Sequence, residues 1–286
     1  MENKLRAGEV TALNVARLSE FGYFLSNGTE DVMLHKREAS RELKEGETVD
    51  VFLYQDHEGR LAATMSQPKV RLDTLAWLTV VGSQKRLGVF LDMGIHKDVL
   101  LSNDDLPGPL DQWPAVGDQL YCGLRLDKKG RLFADLATEQ EIVDQAEAAE
   151  ESQFNEMVAG HVYKLNEAGA LVFTENHLIG FVHNEEMTRR VRLGERVECR
   201  VTFVREDGRV NLSMKPRKEQ AYNEDAEMIY QYLKNHKGQM PYTDKSDPDD
   251  IKNEFDISKA AFKRALGKLI KENKVKQENG MTFLKI

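Results

Sequence analysis

The sequence predicts a mainly β fold in which three tandem five-stranded barrels precede a C-terminal α+β domain. One segment bounded by glycines recurs three times, from Gly46 to Gly59, from Gly117 to Gly130 and from Gly194 to Gly208. The two glycines are 13, 13 and 14 residues apart. Apolar residues take up helical spacing only after Pro216. A repeated strand pattern followed by a helical one indicates a row of small β domains and a different last domain.

The composition indicates a folded protein of two or more domains. The chain has 286 residues, of which 41% are hydrophobic and 31% charged. No apolar run approaches the roughly 18 residues of a membrane helix, and the N-terminus lacks the apolar core of a secretory signal. We therefore expect a cytoplasmic protein with no membrane partner. Two cysteines are too few for a disulfide framework or a zinc site.

The charge is distributed unevenly along the chain. A net charge of −8 taken alone disfavours binding to nucleic acid. Residues 72–151 carry 7 basic and 15 acidic side chains, whereas residues 255–286 carry 8 basic and 3 acidic ones. Attraction of a charged partner depends on the local field, so the basic C-terminal end matters more than the total.

Each repeat contains a strand with one buried face. In the first copy Val49, Val51 and Leu53 alternate with residues of the opposite face, a period of two. The Gly-Arg pair that follows in every copy predicts a hairpin into a further strand. Cys122 and Cys199 stand where the first copy has Val51, so we expect them to be small core residues without a redox role.

Further strands precede each glycine. The opening strands are predicted at Val10–Leu18, Leu75–Val81 and Met157–Lys164. Two more apolar segments follow, and His35 and His183 each end a strand 11 residues before the next glycine. About five short strands in roughly 65 residues favour a small closed barrel such as the OB fold.

The first copy reads Phe21-Gly22-Tyr23-Phe24, then His35, then Gly46-x-x-Val49, then Asp56-x-x-x-Arg60. This pattern resembles the S1 RNA-binding domain, an OB-type barrel, and the resemblance extends over residues 3–67, 70–138 and 155–217. We place the three barrels at residues 1–67, 68–138 and 155–217. The acidic, alanine-rich residues 139–154 are expected to form a linking helix.

The last quarter looks like a winged helix, which we place at residues 220–286. Apolar spacing predicts a helix from Asp225 to Asn235, and Pro248 opens a short helix that runs through Asn253. Ser258 is expected to cap a third helix. Asn279-Gly280 is a strong hairpin signal.

Three barrels followed by a winged helix are similar to the conserved virulence factor B (CvfB) family of bacterial RNA-binding regulators. This resemblance implies RNA binding and a role in regulating gene expression. We expect no cofactor.

The S1 resemblance also implies a binding face in each barrel. In copy one this face is Phe21, Phe24, His35, Asp56 and Arg60. In copy two it is Phe90 and Arg131, and in copy three it is His183 and Arg209, beside which stand Arg189, Arg190, Arg192 and Arg205. The basic side of the third C-terminal helix adds Lys259, Lys263, Arg264, Lys268 and Lys271. Rings stack on unpaired bases, whereas arginine and lysine contact phosphates.

Each of these assignments has an alternative. Phe21 or Phe24 could be a core residue, and Asp56 with Arg60 could form a salt bridge across a turn. A run of arginines is ordinarily a solvated surface. Copy two has Leu87 and Ser102 in place of an aromatic ring and a histidine, and its acidity suggests a spacer or a protein contact.

Copy three departs from the S1 pattern in a different way. It has Ala168 and Leu171 where copy one has aromatic rings. Its Arg205 replaces the aspartate of the other hairpins, so stacking is expected to be weaker and phosphate attraction stronger. A continuous electropositive surface over the third barrel and the winged helix is the expected result.

The expected function is regulatory binding of single-stranded RNA without catalysis. The sequence contains no phosphate-binding glycine loop, no metal-ligand spacing and no nucleophile motif. Two other functions stay open. One is a DNA-binding transcription regulator that uses the winged helix, and the other is an interaction scaffold on the ribosome or the transcription machinery.

Overall fold

The computed structural model describes residues 4–216 and 218–285, and within these ranges it describes no side chains for residues 218–222. The chain forms two compact units, one ending at Met214 and the other beginning at Lys215. No helix of the described part is long and apolar enough to cross a membrane.

The first unit contains three barrels of five strands. Barrel one consists of β1 (Val10–Leu18), β2 (Gly22–Ser26), β3 (Asp31–His35), β4 (Thr48–Gln55) and β5 (Leu61–Thr64). Barrel two consists of β6 (Ala76–Gln84), β7 (Gly88–Asp92), β8 (Val99–Ser102), β9 (Gln119–Leu126) and β10 (Leu132–Leu136). Barrel three consists of β11 (Met157–Asn166), β12 (Gly169–Thr174), β13 (Ile179–His183), β14 (Arg196–Val204) and β15 (Val210–Ser213).

The three barrels share one topology. In each, the strands pair in the order first, second, third, fifth, fourth, and the fourth pairs with the first to close the barrel. The third and fifth strands are parallel, and all other neighbours are antiparallel. The predicted five-stranded barrels are confirmed. Closure leaves no strand edge unpaired, which lets such small sheets stay soluble.

The predicted alternation decides which side chains fill each barrel. Val49, Val51 and Leu53 are buried in the core of barrel one. Cys122 and Cys199 take the corresponding places in the cores of barrels two and three, which confirms their expected role. Burial raises the pKa of both thiols, that of Cys199 to about 12.

The glycine that opens the second strand of each barrel is required by a close approach of two strands. Gly22 of β2 pairs with His35 of β3. A Cβ atom at Gly22 would lie 2.1 Å from the carbonyl oxygen of Leu34, and one at Gly88 would lie 2.0 Å from that of Leu101. Any larger residue would push the strands apart, which explains the glycine of the Phe-Gly-x-Phe motif.

Barrels one and two pack directly against each other. Phe52 points away from the interior of barrel one, as its position in the alternation requires, yet it is fully buried. It belongs to the apolar cluster that forms the core of barrel two. The Lys97 ammonium of barrel two donates hydrogen bonds to the carbonyl oxygens of Gln55 and Asp56 in barrel one.

Barrels two and three are joined by an aromatic cluster and an ion pair. Trp77 of β6 contacts Tyr121 of β9 and Phe173 of β12, with ring centroids 5.1 and 6.3 Å apart. The Arg192 guanidinium of barrel three donates two hydrogen bonds to the Asp118 carboxylate of barrel two, of 2.6 and 2.9 Å. Next to this ion pair, the Gln119 N–H donates a hydrogen bond to the carbonyl oxygen of Gly194.

The segment between barrels two and three differs from the predicted helix over residues 139–154. Helix α1 covers only Glu139–Asp144, and a single 3₁₀ turn follows at Glu151–Gln153. Between them the Glu147 N–H donates to the carbonyl oxygen of His177, and the Ala149 N–H donates to that of Gly208. Barrel three therefore supplies hydrogen bonds that a continuous helix would have supplied itself.

The second unit has the predicted order of helices and strands. It consists of α2 (Lys218–Asn235), β16 (Gln239–Met240), α3 (Pro248–Phe255), α4 (Lys259–Lys271), β17 (Val275–Glu278) and β18 (Met281–Leu284). The three strands pair in the order β16-β18-β17. The predicted Ser258 cap is present. Helix α3 continues to Phe255, past the predicted end at Asn253, because Phe255 is buried in the core of this unit.

Helix α2 begins at Lys218, seven residues before the predicted start at Asp225. Its buried contacts come from Ala226, Ile229 and Leu233. The apolar spacing used for the prediction starts at Ala226, the first of these three residues. The polar first part of the helix carries no such signal.

The buried thiols should be unreactive in the native protein. With a pKa of about 12, only about one Cys199 side chain in ten thousand is a thiolate at pH 8. We expect iodoacetamide at pH 8 to label neither Cys122 nor Cys199 until guanidinium chloride unfolds the chain, as read by intact mass. Rapid labelling of the native protein would contradict this burial.

The Arg192–Asp118 ion pair should hold barrels two and three together. The substitution R192M leaves the buried Asp118 carboxylate without its cation, so we expect the junction to open more easily by about 1–3 kcal/mol. Hydrogen exchange of the Gln119 amide measures this opening. The control R190M removes the Arg190–Asp111 pair, whose arginine side chain is 92% exposed, and should change little. If R192M and R190M changed the exchange of the Gln119 amide equally, the Arg192–Asp118 ion pair would not be what holds the two barrels together.

Candidate nucleic-acid interface

A cross-strand row of four residues occupies the same place on the outer surface of each barrel. The strand register pairs one residue from each of the second, third, fifth and fourth strands. Row one is Phe24, Met33, Ala62 and Tyr54; row two is Phe90, Leu100, Phe133 and Arg125; row three is Leu171, Phe181, Asn211 and Phe203. Every row therefore contains two aromatic rings, although on different strands.

Barrel three has its rings where the S1 pattern does not place them. Phe181 lies on β13, and Phe203 lies on β14 with 56% of its surface exposed. Barrel three lacks aromatic rings at Ala168 and Leu171, as the sequence shows. The expectation of weaker stacking considered only these two positions and did not take Phe181 and Phe203 into account. The signal that could have revealed them is the register, in which Phe181 pairs with Leu171 and Asn211 pairs with Phe203.

Neither predicted phenylalanine of barrel one is a core residue. Phe21 is 63% exposed. Phe24 is half-buried beneath the Arg17 guanidinium, whose central carbon lies 4.0 Å from the ring centroid. The arginine covers part of Phe24 by a cation–π contact, and the same contact places a cation beside a surface on which a base could stack.

The histidine that ends the third strand has a structural role. His35 Nδ1 accepts a hydrogen bond from the Arg37 N–H, and His183 Nδ1 accepts one from the Glu185 N–H, at 3.1 and 3.2 Å. In barrel two the Ser102 hydroxyl takes the same place. Because serine can form this cap, the cap does not require histidine. In a neutral histidine that accepts at Nδ1, the proton is on Nε2, which can donate to a ligand.

An aspartate and an arginine form a salt bridge across the last hairpin of barrel one and of barrel two. Asp56 accepts hydrogen bonds from the side-chain Nε and Nη2 of Arg60, at 2.9 and 2.7 Å, and Asp127 is bound in the same way by Arg131. The backbone N–H of Arg131, followed by its side chain, lowers the pKa of Asp127. The turn salt bridge left open as an alternative is therefore present. Both arginines nevertheless keep more than half of their side-chain surface exposed.

The five arginines predicted as binding residues of barrel three are each paired with a carboxylate. Arg189 pairs with Glu195 at 2.5 Å, Arg190 with Asp111 at 3.3 Å, and Arg192 with Asp118. Arg205 and Arg209 both lie beside Asp207, at 3.6 and 3.9 Å. The run of arginines is therefore partly neutralised, and Arg192 serves to join two barrels.

Helix α4 presents its basic side chains on one face. Lys263 and Arg264 are exposed, as is Lys271, whereas Lys259 and Lys268 are half-buried. Lys268 pairs with Glu272 at 3.7 Å. Within the described residues, Lys263 and Lys271 have no carboxylate within 4 Å. Gly267 lies between them at spacing i+4, and a Cβ placed on it would meet no described atom within 4 Å.

The structure brings five of the seven predicted residues of barrels one and two to the border between these barrels, whereas Phe21 and Phe24 line neither cavity there. Phe90 and Arg131 line a cavity of about 300 Å³ there, together with Tyr54 and His57. The predicted His35, Asp56 and Arg60 line a second cavity of about 230 Å³. Within the described residues, no group of three His, Cys, Asp or Glu side chains is placed to hold a metal ion.

Four family models match the chain. The S1 domain matches residues 7–66, the CvfB first S1-like domain matches residues 75–135, and the second domain of the virulence regulatory factor CvfB matches residues 142–216. The CvfB-like winged helix domain matches residues 227–284. The four matches follow the three barrels and the C-terminal unit in order.

Whole-length relatives agree with these matches. The chain is 43% identical to protein YitL of Bacillus subtilis, over 99% of this chain and 95% of that one. It is 32% identical to conserved virulence factor B of Staphylococcus epidermidis, over 97% and 94%. A crystal structure described as a multidomain protein with nucleic acid binding domains, from Streptococcus pneumoniae, is 36% identical with a TM-score of 0.68 and covers 98% of both chains. The chain belongs to the conserved virulence factor B family.

Proposed function

We propose that this protein is a cytoplasmic, non-catalytic regulator of gene expression that binds single-stranded RNA. Its functional units are the barrels at residues 1–67, 68–138 and 155–217 and the winged helix at residues 220–286. The relatives named conserved virulence factor B and the solved relative with nucleic acid binding domains support a regulatory, nucleic-acid-binding role.

The rows of aromatic rings are the observation that carries the preference for single-stranded RNA. A ring on a barrel surface can stack on a base only if that base is unpaired. All three rows offer two rings, and cations such as Arg17 and Arg131 lie beside them. Several such surfaces on one chain raise the affinity through effective concentration, even if each binds weakly.

Helix α4 adds contacts to phosphate. Its exposed Lys263 and Lys271 are suited to phosphates and offer no pattern for reading base edges. A DNA-binding transcription regulator would insert this helix into a major groove and read bases there. Competition between duplex DNA and single-stranded RNA separates the two functions. We expect the RNA to displace the DNA.

The phosphate contacts should make RNA affinity depend strongly on salt. The logarithm of affinity should fall linearly with the logarithm of salt concentration, by about 0.7 for each phosphate contacted. Fluorescence anisotropy of a labelled oligouridine measures the slope for the full chain. A slope near zero would contradict the proposal.

Gly267 offers a matched pair of substitutions on α4. G267E places a carboxylate between Lys263 and Lys271 without a steric clash, so we expect RNA affinity to fall on the order of fivefold. G267A keeps the charge and should leave affinity within about twofold, while stabilising the helix by about 0.5–1 kcal/mol. If G267E bound RNA as tightly as G267A, the helix would not contact phosphate.

Phe203 tests stacking on row three. F203A removes a half-exposed ring, so we expect RNA affinity to fall by about fivefold or more, since one stacked base contributes ~1–3 kcal/mol. F203W keeps a flat ring and should retain the affinity. Anisotropy titrations compare the variants, and equal losses in both would show that the shape of phenylalanine, and not stacking, matters.

A further inference from the structure

We propose that the border between barrels one and two is a composite site for one unpaired nucleobase of a single-stranded RNA, so that one strand passes from row one to row two. The proposal rests on the proposed function, which it makes more specific. It gives barrel two a role in binding that its acidity and its lost S1 residues do not suggest.

The walls of the cavity come from both barrels. Tyr54 of β4 is the last member of row one, and Phe90 and Phe133 belong to row two. All three rings line the same cavity of about 300 Å³. This volume is at the lower end of small-ligand pockets, and three rings around it offer flat apolar surfaces of the kind on which a base stacks.

The site is held together before any ligand arrives. Lys97 spans the border, with its ammonium bound to the carbonyl oxygens of Gln55 and Asp56. Burial lowers the pKa of Lys97, and the charge of Asp56 opposes that effect. Phe52 fixes the same border from the apolar side. A site that is already formed loses little entropy when it binds.

Barrel two contributes one carboxylate to the lining of this cavity, Asp98, whose pKa is raised by burial and further by the charge of Asp92. Asp127 is bound by Arg131, and Asp56 is bound by Arg60, so each of these carboxylates already has a cation. Arg131 and Lys97 both line the cavity. Barrel two therefore offers a local site for a phosphate next to its rings, although its total charge is negative.

A second cavity extends the site along row one. It has a volume of about 230 Å³ and is lined by Met33, His35 and Arg60. It shares Tyr54, Asp56, His57 and Lys97 with the first cavity. The two cavities therefore adjoin, and a strand leaving one would enter the other.

Photo-crosslinking of the full chain tests the proposal. The probe is a single-stranded RNA of roughly 12 nucleotides, within the range of OB-type sites, with one 4-thiouridine placed at each position in turn. Mass spectrometry maps the crosslinked residues. We expect crosslinks to Tyr54, His57, Phe90 or Phe133 from one or two neighbouring positions of the probe.

A matched pair of variants measures the contribution to affinity. F133A should weaken RNA binding by about 5- to 150-fold, the loss of one stacked base. F154A removes an equally large ring that is 53% exposed and lies outside all three rows, and it should leave affinity unchanged. Circular dichroism shows whether F133A is folded, and Y54L serves as a second variant of the same cavity if it is not.

The outcomes distinguish this inference from the proposed function. Crosslinks confined to barrel three and the winged helix, with F133A and Y54L binding as tightly as F154A, would overturn the composite site and leave RNA binding intact. Absence of any RNA binding by the unaltered chain would overturn both. Crosslinks at the cavity together with a loss in F133A would establish the site.

Discussion

The packing of Phe52 against the core of barrel two is the contact on which the arrangement of the first unit depends. An outward residue of β4 in barrel one completes the apolar cluster of its neighbour, so the two barrels cannot turn independently. Burying a phenylalanine stabilises the packed barrels by roughly 1.5–3 kcal/mol. The hydrogen bonds from Lys97 to two carbonyl oxygens of barrel one fix the orientation of the barrels. With the barrels fixed in this way, rows one and two face a common cavity.

Under the proposed function, the chemistry of the barrel surfaces favours bases over phosphates as the main ligands. The five predicted arginines of barrel three are paired with carboxylates, which weakens their attraction for a polyanion. Among the aromatic rings of the rows, Phe203 is more than half exposed, whereas Phe24 lies beneath the Arg17 guanidinium. In the proposed function, stacking supplies contacts at the rows. Lys263 and Lys271 of α4, which have no carboxylate within 4 Å among the described residues, supply charge. Such a division between rings and cations is suited to a single strand that presents both its bases and its backbone.

Much of the fold could be predicted because it is encoded locally. Period-two alternation and the Gly-Arg turns predict the barrels, and caps such as Ser258 predict the helices of the second unit. The site could be predicted only in part, because it depends on pairing between distant strands. Phe181 and Phe203 join a row only through the register, and Arg192 meets Asp118 74 residues away. The segment after α1 is not helical for the same reason, since the carbonyl oxygens to which its N–H groups donate lie in barrel three.

A structure of the full chain bound to single-stranded oligouridine tests the central claim most directly. The claim is that unpaired bases stack on the aromatic rows while phosphates contact arginine and lysine. We expect bases against rings of at least two rows, with the strand crossing the border between barrels one and two. A complex in which the RNA contacts the protein only through phosphates, with its bases in solvent and the rows uncovered, would contradict the account.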